Sequence, residues 1–477
     1  MSLFTEYENY DAIGLGELIR QKQVTPDELL DTALDLVATH NPAVNAVVHL
    51  MEHQARTAIR DGLPTGPLSG VPFMLKDLYV LYKGEPTTNG SHLFRNFIAN
   101  HDSTVTERFR AAGLVIMAKT NTPEFGLNVA TEPVATGPTL NPWNPTRTAG
   151  GSSGGASAAV ATGMVPIAHA TDGGGSIRIP ASNCGLFGLK PTRARVPAGP
   201  DAGEGWSGLS TGHVVSRTVR DSAAVLDATH GPAPGDPYSA PLPLRPFRDE
   251  VGHPPGQLRV ALWTEGLAQQ PIDSECVRGA EKVAAILTDL GHEVSPATPP
   301  ISGLDFRPAM RVIMSSHTAN HLDTFAETTG TSVKVDDTEN IPRLFAEEGR
   351  RLSGRDYVKA LSVIHRTGRQ LADFFKDYDV ILSPTLADRP LPLGIFDMMG
   401  TDLDLYFERM LNHLAFTPLY NITGCPAASL PLHMTPDGLP VGIQLGAQFG
   451  DEATLFQVAA QLEQAHPWWD QRPPLST

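Results

Sequence analysis

The chain has 477 residues, 41% hydrophobic and 18% charged, which is ordinary globular material with ample apolar content for a full core. With 36 Lys and Arg against 52 Asp and Glu the formal charge is −16, which argues against nucleic acid or an anionic membrane as partner, since both are held by basic patches. Three scattered cysteines, Cys184, Cys276 and Cys425, with no CxxC and no Cys/His cluster, argue against a disulfide framework or a metal site. The first twenty residues scatter Glu6, Glu8, Asp11 and Glu17 among apolar positions, unlike a signal peptide. No apolar run approaches the roughly 18–20 residues that cross a bilayer, so a soluble cytoplasmic protein is expected.

In chain order, Thr25-Pro26-Asp27-Glu28 has the form of a capping box with proline at the first helical position. Leu29, Leu30, Ala33, Leu34, Leu36 and Val37 follow at helical spacing, and Asn41-Pro42 is expected to stop the helix. Residues 71–75 read as a short buried strand that delivers Lys76 at its end. A helix is expected from Asp102-Ser103 through Phe109 to Gly113, and the apolar run 114–118 reads as a strand covered on both faces. Residues 153–161, rich in alanine, read as a helix closed by Gly163. Residues 165–170 form the next strand, leading into Asp172-Gly173-Gly174-Gly175, and Ser176 is expected to open the helix beyond.

A further helix follows 217–221, where Thr218 and Asp221 can cap. The stretch 231–257 is rich in proline and poor in periodic apolar residues, so it reads as a linker or surface excursion. After it come a strand over 258–263, an amphipathic helix over 274–290, and a strand over 379–385 that ends in a turn. Residues 428–432 and 441–445 form a hairpin pair, and the last helix runs over 452–464. Alternating helix and buried strand is the α/β pattern.

Two glycine-rich blocks carry the chemistry: Gly150-Gly151-Ser152-Ser153-Gly154-Gly155 and Thr171-Asp172-Gly173-Gly174-Gly175-Ser176. Glycine removes side chains where something must approach the backbone, and hydroxyls become nucleophiles when a base stands beside them. The backbone N–H groups of Gly173, Gly174, Gly175 and Ser176 can converge on one point, an anion-binding concavity suited to an oxyanion. A phosphate-binding loop is the blander alternative, but neither G-x-x-x-x-G-K-[ST] nor G-x-G-x-x-G occurs. Gly151-Ser152-Ser153-Gly154-Gly155 satisfies the G-x-S-x-G elbow, yet the polar residues 141–149 before it do not read as a buried strand, so the match reads as a decoy. An apolar strand leading into Lys76 suits burial, which lowers a lysine's pKa and lets it act as a neutral base. His169 reads as a core histidine with a satisfied hydrogen bond, Arg178 as a tie between the loop and nearby carboxylates, Asp172 as an acceptor for loop amides, and Cys184 as buried and inert.

The segment 150–192, with Ser176-Ile177-Arg178-Ile179-Pro180 and Cys184-Gly185-Leu186-Phe187-Gly188-Leu189-Lys190-Pro191-Thr192, resembles the amidase signature family. Lys119-Thr120-Asn121-Thr122-Pro123-Glu124-Phe125-Gly126, Asn141-Pro142-Trp143 and Gly424-Cys425-Pro426-Ala427 match further blocks, as does the serine spacing, 176 − 152 = 24. The resemblance implies one large α/β domain over 1–477, a mixed central sheet with helices on both faces. Its core would be 60–230 and 375–465, with a variable pocket region at about 258–370. It also implies a triad in which Ser176 is the nucleophile, Ser152, preceded by a cis peptide bond, the bridge, and Lys76 the base. No cofactor is implied, and a homodimer is a state the family allows. Within the family, 100–196 is most similar to the 6-aminohexanoate cyclic dimer hydrolases and related bacterial amidases. The implied reaction is hydrolysis of a small linear or cyclic amide, with esters or carbamates as further substrates. Gly126, Met314, Ser315 and His317 are the implied pocket residues. Two other readings are an A-type glutamine amidotransferase component of a tRNA-dependent complex and a non-catalytic binding protein on the same scaffold. The second is disfavoured by three intact triad positions.

Overall fold

Val115–Thr120 is buried at every position, as is Pro72–Lys76, and the two lie side by side in parallel within an eleven-stranded mixed sheet. The computed structural model that shows this describes residues 3–474. The first strands are β1 (Val47–Leu50), β2 (Pro72–Lys76) and β3 (Val115–Thr120); β4 (Leu140–Asn141) and β5 (Asn144–Thr148) make a separate two-stranded ribbon. Next come β6 (Ile167–Asp172), β7 (Phe187–Lys190), β8 (Thr211–Ser216), β9 (Arg259–Leu262) and β10 (Glu293–Pro296). The sheet is completed by β11 (Val380–Pro384), β12 (Ala427–Met434) and β13 (Pro440–Ala447). Their order is β1-β3-β2-β6-β8-β7-β12-β13-β11-β9-β10. β2 runs parallel to both β3 and β6, and β9 parallel to β11 and β10; the other neighbours are antiparallel.

Successive side chains of a strand point to opposite faces, and here each face has its own core. Val260, Val380, Leu382 and Ala428 join one apolar cluster; their chain neighbours Ala261, Ile381 and Ala427 join the other. The first core takes in α1 (Ala12–Arg20), α2 (Pro26–Val44), α3 (Glu52–Asp61), α4 (Thr104–Ala111) and α5 (Gly154–Ala161). After α6 (Arg178–Cys184) it also takes in α7 (Val219–Thr229), α8 (Phe247–Glu250) and α9 (Ser274–Asp289). The second core holds α10 (Gly303–Thr329), α11 (Asn340–Gly349), α12 (Gly354–Phe374), α13 (Leu403–His413) and α14 (Pro418–Thr423). The final helix, α15 (Glu452–Ala465), returns to the first core. No helix among the described residues is long and apolar enough to cross a membrane.

The capping box forms: the Thr25 hydroxyl accepts from the Glu28 N–H, and the Glu28 carboxylate accepts from the Thr25 N–H at 2.8 Å. Asn41-Pro42 does not stop the helix, which continues to Val44 and leaves at Asn45 in the left-handed region, φ 50. A proline this close to the end removes one intrahelical donor, and Asn41 serves the exit instead, its Oδ1 accepting from the N–H groups of Ala46 and Val47 at 2.8 Å. Thr218 caps α7, whereas the Asp221 carboxylate turns to α1 and accepts from the Ala12 and Ile13 N–H groups at 2.8 and 3.0 Å. The proline-rich stretch 231–257 is a surface excursion pinned by Phe247, which is buried against Phe456 of α15. The stretch 258–370 supplies two strands, β9 and β10, to the end of the sheet as well as the helical layer α10–α12.

Candidate active site

Because β2 and β6 are parallel neighbours, with Met74 opposite Ala168, their C-terminal ends emerge at one edge of the sheet. Crevices outside such strand ends are where α/β sheets carry their sites. β2 ends on Lys76 and β6 on Thr171-Asp172, so the amine and the second glycine block meet directly. Lys76 Nζ lies 2.7 Å from Ser152 Oγ and 2.8 Å from Thr171 Oγ1. Lys76 is 0% exposed, and burial pushes its pKa well below the ordinary lysine value, with the Asp172 carboxylate pulling part of the way back. The peptide bond Gly151–Ser152 is cis. Gly126 is drawn close too: at φ 70 it adopts a conformation that favours glycine, and a Cβ there would lie 3.3 Å from Ser152 Oγ and 2.8 Å from Leu78.

Ser176 is half-buried, whereas the flanking Gly175 and Ile177 are buried. It does not open a helix: α6 begins two residues later, at Arg178, because Asp172 takes the Ile177 N–H at 3.2 Å and holds 173–177 as a loop. Among the described residues, the N–H groups of Gly173, Gly174, Gly175 and Ser176 have no protein acceptor. Successive free backbone donors are what an anion-binding concavity requires.

The loop is braced by a saturated ion pair. Arg178 donates Nε and Nη2 to the two carboxylate oxygens of Asp172 at 2.9 and 3.0 Å. Its remaining donors go to the Thr417 carbonyl, Gln444 Oε1 and Asn421 Oδ1 at 2.7–2.9 Å, so all five are used. Burial alone would raise the Asp172 pKa, but the Arg178 guanidinium holds it down at about 2. Arg178 and Asp172 thus play the parts read from the sequence.

His169 departs from that reading. It is buried on the Phe109 ring, but among the described residues neither ring nitrogen has a hydrogen-bond partner, and burial pushes its pKa well down. Ser153, the serine of the G-x-S-x-G match, is 0% exposed and hydrogen-bonded to the Thr171 backbone, and the strand before it belongs to the separate ribbon. Burial pushes the Cys184 thiol up, which fits an inert side chain.

Other walls come from residues with no local sequence signal. A Cβ on Gly173 would come within 3.0 Å of the Trp206 ring, and one on Gly174 within 3.0 Å of the Met310 methyl. Phe125, Trp206 and Ser207 hold positive φ of 53, 49 and 53, the sparsely populated backbone that collects around functional sites. Of the pocket residues read from the sequence, Met314 lies one turn along α10 from Met310, in the second core. His317 hydrogen-bonds Ser207 Oγ at 3.0 Å, next to Trp206. Ser315 faces α11 instead, donating to Glu348 Oε2 at 3.1 Å. Among the described residues no group of three or more His, Cys, Asp or Glu is arranged to hold a metal ion.

A mixed sheet whose strand ends bring a buried amine to a serine, beside a loop of free amides, defines an α/β enzyme of the amidase class. The chain belongs to the Amidase family, whose model matches residues 28–456. It is similar to the 6-aminohexanoate-cyclic-dimer hydrolase of Paenarthrobacter ureafaciens, 38% identical over 98% of this chain and 96% of that protein. The solved structure of 6-aminohexanoate cyclic dimer hydrolase complexed with substrate matches with a TM-score of 0.95 and 36% identity, over 98% of this chain and all of that one. The A-type component of the glutamyl-tRNA(Gln) amidotransferase of Thermotoga maritima gives a TM-score of 0.75 and 26% identity, over 98% of this chain and 97% of that one.

Proposed function

We propose that this chain hydrolyses the carbon–nitrogen bond of small linear or cyclic amides through an acyl-enzyme on Ser176. The observation that carries the reading is the 2.7 Å contact between Ser152 Oγ and a Lys76 amine whose pKa burial pushes well below the ordinary lysine value. Ser176 Oγ attacks the carbonyl carbon while its proton passes to Ser152 and that of Ser152 to Lys76. The oxyanion is received by the amides of 173–176. The same relay returns a proton to the leaving nitrogen as the C–N bond breaks, and water then cleaves the ester.

The substrate class rests on likeness to the cyclic dimer hydrolases, so 6-aminohexanoate cyclic dimer heads the test set, followed by aliphatic amides, anilides, carbamates and p-nitrophenyl esters. A fluorophosphonate should leave one adduct, mapped by mass spectrometry to the Ser176 peptide, and Ser176→Ala should lose both adduct and turnover with the fold intact. An adduct on Ser153 would transfer the nucleophile to the elbow. The reading also takes the enzyme to be cytoplasmic and to work without other proteins, as a monomer or homodimer. Size-exclusion chromatography with a glutaminase assay separates that from the amidotransferase alternative, which requires its complex.

A further inference from the structure

The glycine loop has a strut outside its own stretch of chain. Thr417, at the entry to α14, donates its hydroxyl to the Gly174 carbonyl at 2.8 Å, across 243 residues of sequence. Thr417 is fixed in turn: it is fully buried, and its own carbonyl accepts from Arg178 Nη1 at 2.9 Å. The approach is so close that a Cβ on Gly175, whose φ is 141, would come within 2.6 Å of Thr417 Oγ1.

The C=O and N–H of a trans peptide point in opposite directions. Tying the Gly174 carbonyl toward Thr417 therefore turns the Gly175 N–H away from Thr417, and that N–H is one of the four with no protein acceptor among the described residues. Three successive glycines have wide backbone freedom, so the orientation of this peptide plane needs an external hold. Stabilisation of a developing oxyanion depends on donors aimed before the reaction begins.

We propose that Thr417 is a positioning residue for the anion-binding loop, its hydroxyl fixing the Gly174–Gly175 peptide plane so that the Gly175 N–H meets the oxyanion. The inference rests on Ser176 being the nucleophile, as argued above. Thr417→Val keeps the shape and removes the donor, whereas Thr417→Ser keeps the donor and removes a methyl. Thr417→Val should lower kcat on an amide about 10- to 100-fold with KM within about twofold, the signature of a lost transition-state interaction. The rate of fluorophosphonate labelling at Ser176 should fall in parallel, and Thr417→Ser should recover most of both. Thr417→Ala, which avoids any crowding by the valine methyl, should repeat the loss if Thr417→Val does not fold.

Wild-type kcat in Thr417→Val or Thr417→Ala overturns the proposal. So does a Thr417→Ser variant as slow as Thr417→Ala, since packing and not the donor would then matter. A wild-type protein that hydrolyses no amide and takes no adduct at Ser176 overturns the nucleophile assignment, and the strut with it; an active wild type with an indifferent Thr417 removes the strut alone.

Discussion

Lys76 makes two hydrogen bonds to hydroxyls and, among the described residues, no ion pair, the Asp172 carboxylate acting on it only through space. Its folded pKa lies below that of a free lysine, so the neutral, proton-accepting form grows as pH rises through that depressed value. In the free enzyme kcat/KM should therefore climb with pH through a single ionisation to a plateau. Lys76→Ala should cost several orders of magnitude and abolish the ionisation. Lys76→Arg should rescue nothing, because guanidinium stays protonated at any usable pH. A Lys76→Ala enzyme with wild-type rate and pH profile would move the base elsewhere, with His169 the next residue to test. Asp172 gives a stability counterpart. Asp172→Asn leaves the fully buried Arg178 without its counter-charge, and losing one partner of a buried pair costs about 3–5 kcal/mol. The denaturation midpoint should drop accordingly, and an unchanged midpoint would show that the network is dispensable for the fold.

At the scale of elements, the excursion 231–257 offers a matched pair of substitutions. Phe247 is buried against Phe456 and His230, while Leu244 is 100% exposed. Phe247→Ala should cost about 3–5 kcal/mol and Leu244→Ala no more than about 0.5 kcal/mol, read from guanidinium unfolding curves. The same contrast explains what the sequence made legible. β2, β3, β6 and α2 announce themselves through mainly apolar runs or a cap, local signals that burial on both faces or a single side chain can write. Lys76 and Ser152, which the structure brings within 2.7 Å, stand beside apolar and glycine-dense blocks, but the roles of Lys76, Ser152 and Ser176 come from the family resemblance and not from any local pattern. Thr417 and Trp206 were not, because their part comes from contacts made across long stretches of sequence, which no local pattern records. α10 escaped for another reason: it packs against both α11 and α12, so its apolar residues do not gather on one face. Pro42 misled because a proline ends a helix less firmly in its last turn than in its middle.

For the whole molecule, the −16 charge acts on whatever approaches. An amide carrying a carboxylate should meet repulsion that salt screens, so its kcat/KM should rise as ionic strength goes from about 0.01 to about 0.2 M, where the Debye length shrinks from roughly 30 to below 10 Å. A neutral amide of the same size should show no trend. If both respond alike, the field at the site differs from that of the surface as a whole.

The strut from α14 to the glycine loop also bears on how activity is regained after denaturation. Lys76 meets Ser152 across 76 residues and Thr417 meets Gly174 across 243, so no local folding unit holds a complete centre. Contacts this distant in sequence form late and slowly, because loop closure must precede them. On dilution from denaturant, helical circular dichroism should return first and amide turnover last, the lag between them timing the arrival of β11, β12, β13 and α14 beside the strands of the first half.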